Sequence, residues 1–108
     1  MTKLRCPYLH GEVEFTDERE RHIREKHPEL LPQYREYLGH TLADPDEVRR
    51  DARFPNSLLF SHWFPDVKGG KFVVVVVVAD PAPADRHWIV TAYVARQLSG
   101  GIVEWTRP

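Results

Sequence analysis

The sequence is poor in several things at once. It has a single cysteine, Cys6, which excludes an intramolecular disulfide and fits a reducing compartment. It lacks a basic surplus: 15 Lys and Arg against 16 Asp and Glu give a formal net charge of -1. That balance weighs against sequence-independent binding of a polyanion, although local patches can still take a phosphate. No long hydrophobic run is present. The longest, Phe72 to Ala79, falls well short of the ~20 residues a membrane-spanning helix needs. The opening MTKLRCPYLH has no apolar stretch of the secretory kind, so a cytoplasmic protein without membrane attachment is expected. Internal repeats, low-complexity tracts and linkers are missing too. The 108 residues therefore read as one domain.

What is there divides near the middle. Up to about Arg53 the chain is rich in Glu, Arg and other helix formers, and after Asn56 it is rich in Val, Phe, Trp and turn residues. Such segregation predicts an α+β fold, with two or three N-terminal helices packed on an antiparallel β-meander of about four strands. GEVEF alternates Val13 and Phe15 with Glu12 and Glu14, a short strand. Thr16 reads as an N-cap, and a first helix from Asp17 to about His27 ends where Pro28 disfavours helical geometry. LPQYREYLGHTL carries Pro32 near a first turn and apolar residues at helical spacing. ADPDEVRRD offers Asp44 as the cap of another short helix, with Pro45 in its first position.

The second half gives strands over Ser57 to Phe64, Lys71 to Ala79, Trp88 to Ala95 and Ile102 to Trp105, the first two joined as a hairpin through PDVKGG. Six consecutive valines leave the second strand without a polar face, which predicts a central position in the sheet.

Against this background RHIREKHPEL stands out, because a helix with little to bury carries His22 and His27. At ~100° per residue, His27 shares the inward side with Ile23 and Leu30, and His22 lies about a quarter turn away. The plain reading makes His27 a helix-end cation and leaves His22 exposed. A metal reading would draw on Cys6, His10, His22 and His27, but a spacing of five between the helix histidines does not put two ligands on one face. No metal or other cofactor is expected. The third reading treats imidazole as a general acid or base near neutrality.

On WIVTAYVA, strict alternation puts the hydroxyls of Thr91 and Tyr93 side by side. If the first helix covers that face, they oppose the histidines. His62 and Lys71 are placed to reach such a groove, and Arg49 or Arg53 of RRDAR to hold a phosphate. Imidazole, cation and hydroxyl on an open sheet face are what metal-free RNA cleavage requires.

HIREKHPEL, TLADPDEVRRD, the valine strand, IVTAY and GIVEW, taken in order, resemble a family of small phage and bacterial proteins grouped with the barnase, EndoU, colicin and RelE-like nucleases. The resemblance runs from about Glu12 to Trp105. It implies a metal-independent ribonuclease, including the possibility of a toxin acting on tRNA or mRNA and held in check by a neutralising protein partner. His22, His27, Thr91 and Tyr93 match its catalytic positions. A basic residue is also expected, with Lys71, Arg49 and Arg53 available. The competing expectations are a non-catalytic domain that binds RNA or protein on the same scaffold, and a structural fold in which both histidines satisfy buried polar groups.

Overall fold

Among the described residues, seven strands and two short α-helices follow one another along the chain. The structure, a computed structural model, describes residues 1–81 and 83–108; residue 82, in the expected DPAPADR loop, lies outside them. The order is β1 (Thr2–Cys6), a 3-10 turn (Pro7–Leu9), β2 (Gly11–Phe15), α1 (Asp17–Lys26), α2 (Glu36–Ala43), β3 (Glu47–Arg50), β4 (Ser57–Phe64), β5 (Lys71–Asp80), β6 (Arg86–Ala95) and β7 (Ile102–Thr106). All strands join one sheet in the order β1-β2-β6-β5-β4-β3-β7. Only β2 and β6 run parallel, meeting at Glu14 and Trp88.

The valine strand β5 is central, as its two-sided apolar pattern requires, and β4 pairs with it as the expected hairpin from Ser57↔Val78 to Phe64↔Lys71. Its Val73, Val75 and Val77 join Leu58, Phe60 and Phe64 of β4 and Ile89 and Ala92 of β6 in the core beneath the helices. Ile23 is the buried anchor of α1, and Leu38, Thr41 and Leu42 are those of α2. Helix α1 starts at the expected cap: the Thr16 hydroxyl accepts from the Arg19 N–H at 3.2 Å.

The expected architecture of two or three helices on a four-stranded meander is not the one formed. Three segments account for the difference. Thr2–Cys6 is a strand, with Lys3 and Arg5 exposed between the inward Leu4 and Cys6, and it pairs with β2 through Leu4↔Val13. Pro45 does not start a helix, because Asp44 is the last cap of α2, its N–H bonded to the His40 carbonyl at 2.9 Å. Glu47–Arg50 then alternates as a strand, burying Val48 while Arg49 and Glu47 pair at 2.8 Å on the other face. β7 adds beyond β3, not beside β6. To reach it, residues 96–101 cross the face of the sheet opposite the helices as a strap.

The sheet also curls. Tyr8, just after edge strand β1, packs edge-on to Phe60 at 5.8 Å and to Trp105 of the other edge strand at 6.0 Å. Its hydroxyl donates to the Glu104 carboxylate, which Arg50 Nε also holds at 2.6 Å. Burial first, and the Glu104 hydrogen bond second, push the Tyr8 phenol up to about 12. An unfolded phenol titrates near ~10. The folded state therefore keeps this proton longer, and the stabilisation it gives is complete below pH ~10 and lost as pH climbs towards 12. Urea unfolding should show stability falling across that interval, with phenolate absorbance at 295 nm lagging a free tyrosine. A normal titration with flat stability would remove Tyr8 from this closure.

The strap's end depends on one glycine. Gly101 has φ +73°, and a Cβ there would lie 2.9 Å from the Arg50 carbonyl oxygen. Gly101→Ala should destabilise by about 1–3 kcal/mol. Gly100 has a similar φ of +77° but nothing within 4 Å, so Gly100→Ala should cost less. Equal thermal shifts for the two variants would mean that the strap does not press on β3.

Candidate active site

Alternation along β6 is interrupted, and this decides which side chains meet. The pairing steps from Val77↔Ile89 to Val76↔Thr91, so Val90 is an extra residue in a bulge. Ile89 thus faces the helices with Ala92. Trp88, Thr91 and Tyr93 share the opposite face with Val74, Val76 and Val78, not the strict alternation expected of WIVTAYVA. Thr91 and Tyr93 lie side by side as expected, but on the face that the helices leave uncovered.

His27 nevertheless reaches Tyr93. β2 pairs with β6 only at Trp88, and α1, which continues directly from β2, packs against β6. His27 caps the end of α1, its N–H bonded to the Ile23 carbonyl at 2.6 Å. Its ring lies 6.1 Å from that of Tyr93, tilted by 40°. Its Nδ1 is 3.2 Å from Glu29 Oε1. A carboxylate can only accept, so Nδ1 carries the proton and Nε2 is the ring nitrogen left with a free lone pair.

Tyr93 lines a cavity of ≈ 40 Å³ under the strap, together with Arg49, Ser61, Gln97 and Ser99. Burial raises its phenol above the usual tyrosine value, and the nearby Arg49 charge offsets part of that, so Tyr93 stays protonated and a donor near neutrality. Arg49 uses Nε on Glu47 at 2.8 Å and Nη1 on the strap carbonyl of Gly100 at 3.2 Å, leaving further N–H groups. The cavity admits water-sized molecules. A nucleotide would have to lie across its mouth.

The other residues singled out from sequence lie elsewhere. His22 is exposed on α1. Lys71 donates its Nζ to the carbonyls of Lys68 at 2.8 Å and Gly70 at 3.2 Å, closing the β4–β5 turn. Arg53 lies in the turn after β3, its backbone N–H held by Asp51 and its guanidinium 5.8 Å from the Phe54 ring centroid. His62 pairs with Val73, on the helix-covered face, with His40 beside it at 4.6 Å.

Glu29, Ser61 and the strap residues were missed. HPEL offers a signal for Glu29, a carboxylate two residues beyond a helix-ending histidine. Ser61 is one polar residue in a strand, and nothing local marks Gln97 or Ser99. The one metal-capable cluster among the described residues is His40, Asp44 and His62, which includes none of Cys6, His10, His22 or His27. Among the described residues, no helix is long and apolar enough to cross a membrane. No family model, curated protein or solved structure matches the chain.

Proposed function

We propose that the chain is a metal-independent ribonuclease whose acid–base site is formed by His27 and Tyr93. The observation that carries this reading is the imidazole of His27, oriented by Glu29 at 3.2 Å and set 6.1 Å from the Tyr93 ring. A histidine fixed by a carboxylate at one nitrogen and open at the other is a general base with a defined proton-accepting atom. In this mechanism Nε2 takes the proton of a ribose 2′-hydroxyl, and the resulting oxygen attacks the adjacent phosphorus. The P–O5′ bond breaks as the leaving 5′-oxygen takes a proton back from the imidazolium or from Tyr93. Arg49, with the Tyr93 and Thr91 hydroxyls, stabilises the charge of the phosphorane. The motif resemblance points to the same chemistry, with tRNA or mRNA as substrate, a cytoplasmic setting and a neutralising partner protein.

A second reading has its own observation. Trp63, exposed at 42%, packs edge-on to Phe72 at 5.1 Å on the sheet face that also carries Tyr93. Arg86 lies 5.2 Å from the Trp88 ring on that face. Aromatic rings with a guanidinium beside them are platforms for stacking single-stranded bases, so a non-catalytic RNA-binding domain would use the same surface.

The test is incubation of the purified chain with total cellular RNA in excess chelator, beside a Thr91→Val/Tyr93→Phe double variant. A ribonuclease gives discrete fragments ending in a cyclic or 3′-phosphate, weakened in the folded double variant. RNA retained on the protein but left intact would support the binding domain instead.

A further inference from the structure

On the helix-covered side of the sheet, away from Tyr93, the C-terminal end of α2 brings two imidazoles and a carboxylate together. His40 lies in the last turn of α2, and Asp44, four residues on, is its C-cap. His62 of β4 stands beside them, its ring centroid 4.6 Å from that of His40. One donor atom from each of His40, Asp44 and His62 lies within 4.8 Å of the other two. The surroundings set the tautomer of His62. Its Nδ1 is 2.6 Å from the Asp44 main-chain carbonyl, an oxygen that can only accept, so Nδ1 donates and Nε2 keeps a free lone pair. A ring nitrogen held by a carbonyl, with the other left open, is the arrangement of metal-bound histidine. Phe64 packs at 5.1 Å from His40 and 4.6 Å from His62, shielding one side.

We propose that His40, Asp44 and His62 bind a divalent first-row transition ion of the zinc class. Two nitrogens and one oxygen are a borderline-soft ligand set that suits zinc, iron or cobalt better than calcium or magnesium. Tetrahedral ligation at about 2.0–2.1 Å needs ligand atoms about 3.3 Å apart. The cluster is therefore slightly open, and rotation of the exposed His40 side chain closes it. His40 and Asp44 are both exposed, so solvent can reach a fourth coordination position.

A protein cation already competes for the carboxylate. Arg107 donates to Asp44 Oδ1 at 2.6 Å and to Asp46 Oδ1 at 3.0 Å, and its Nη2 is 3.4 Å from His62 Nδ1. Asp46 accepts from the Trp63 N–H at 2.7 Å and lies outside the cluster of ligand atoms. Arg107 thus occupies the place of the ion's charge, and its removal frees Asp44.

The experiment is calorimetric titration of the whole chain with zinc chloride in a non-chelating buffer at neutral pH, beside His40→Ala, His62→Ala, Arg107→Ala and His10→Ala. The proposal expects one ion per chain, at least tenfold weaker binding in His40→Ala and His62→Ala, tighter binding in Arg107→Ala and no change in His10→Ala. His40 is exposed, so its variant should fold even if His62→Ala does not. No binding at tens of micromolar zinc, unchanged affinity in His40→Ala or weaker binding in Arg107→Ala overturns it. The readout is independent of RNA cleavage, so the two readings stand or fall separately.

Discussion

Phe60→Ala should lower the free energy of unfolding by about 3–5 kcal/mol, a large fraction of the ~5–15 kcal/mol available to a domain of this size. Phe60 is fully buried and pairs with Val75, at the centre of the sheet. Its ring also meets Tyr8 edge-on, where the curled sheet brings the region after β1 close to β7. Truncation leaves a cavity that a close-packed valine strand cannot collapse into, and it removes the surface on which Tyr8 rests. Leu59, the preceding residue, points to the other face and is half-buried, so Leu59→Ala should cost clearly less. Denaturant unfolding of both variants checks this. Equal losses would mean that the two faces of the sheet contribute alike, contrary to the burial pattern.

His27→Ala should reduce RNA cleavage by about 10²–10⁴-fold, the usual contribution of a positioned acid or base. At 1.36 kcal/mol per tenfold, this is about 3–5 kcal/mol of transition-state stabilisation. The same change should alter folding stability by no more than about 1 kcal/mol, because the anchoring of α1 comes from Ile23 and the imidazole is only half-buried. Glu29→Gln keeps the hydrogen bond but not the charge and should give a smaller loss than His27→Ala. The informative quantity is the ratio of the two effects. Cleavage that survives intact in folded His27→Ala would falsify the acid–base assignment.

The strands of the second half were readable because their apolar runs are long and bounded by Gly and Pro, and Ser57–Phe64 is found with the expected ends. α1 was equally plain, through Thr16 at one end and Pro28 past the other. The first half otherwise misled. EVRR and TKLRC are too short and too charged to reveal a period of two, and their strand character comes from neighbours distant in sequence: β2 for Thr2–Cys6, and β4 and β7 for Glu47–Arg50. Pro45 fits a helix start as well as the loop it occupies. At the site, His27 and Tyr93 could be paired from sequence only on the assumption that α1 covers their face of the sheet. They meet instead because β2 stops at Phe15 and α1 follows it along β6, a consequence of topology that no local pattern carries. The bulge at Val90 was likewise invisible, since Trp88, Ile89 and Val90 before Thr91 are all apolar and offer no phase to break. The His40, Asp44 and His62 cluster escaped notice because its third member lies on a different element.

The parallel pairing of β2 with β6 also bears on the order in which the chain folds. Residues 57–95 form three strands joined by short connections, whereas Glu14 must find Trp88 across most of the chain. Contacts that close short loops form early, and those that close long ones form late. Folding should therefore begin with β4, β5 and β6 as a three-stranded nucleus, to which β2 is added near the end. Until β2 and the α1 that follows it are in place against β6, the valine-rich nucleus presents the unpaired edge of β6 to other molecules. An open edge on an apolar sheet is a template for strand addition by another copy. The vulnerable moment for this protein in a crowded solution thus falls before its N-terminal residues dock, and refolding at high concentration should lose material to aggregation that slow dilution avoids.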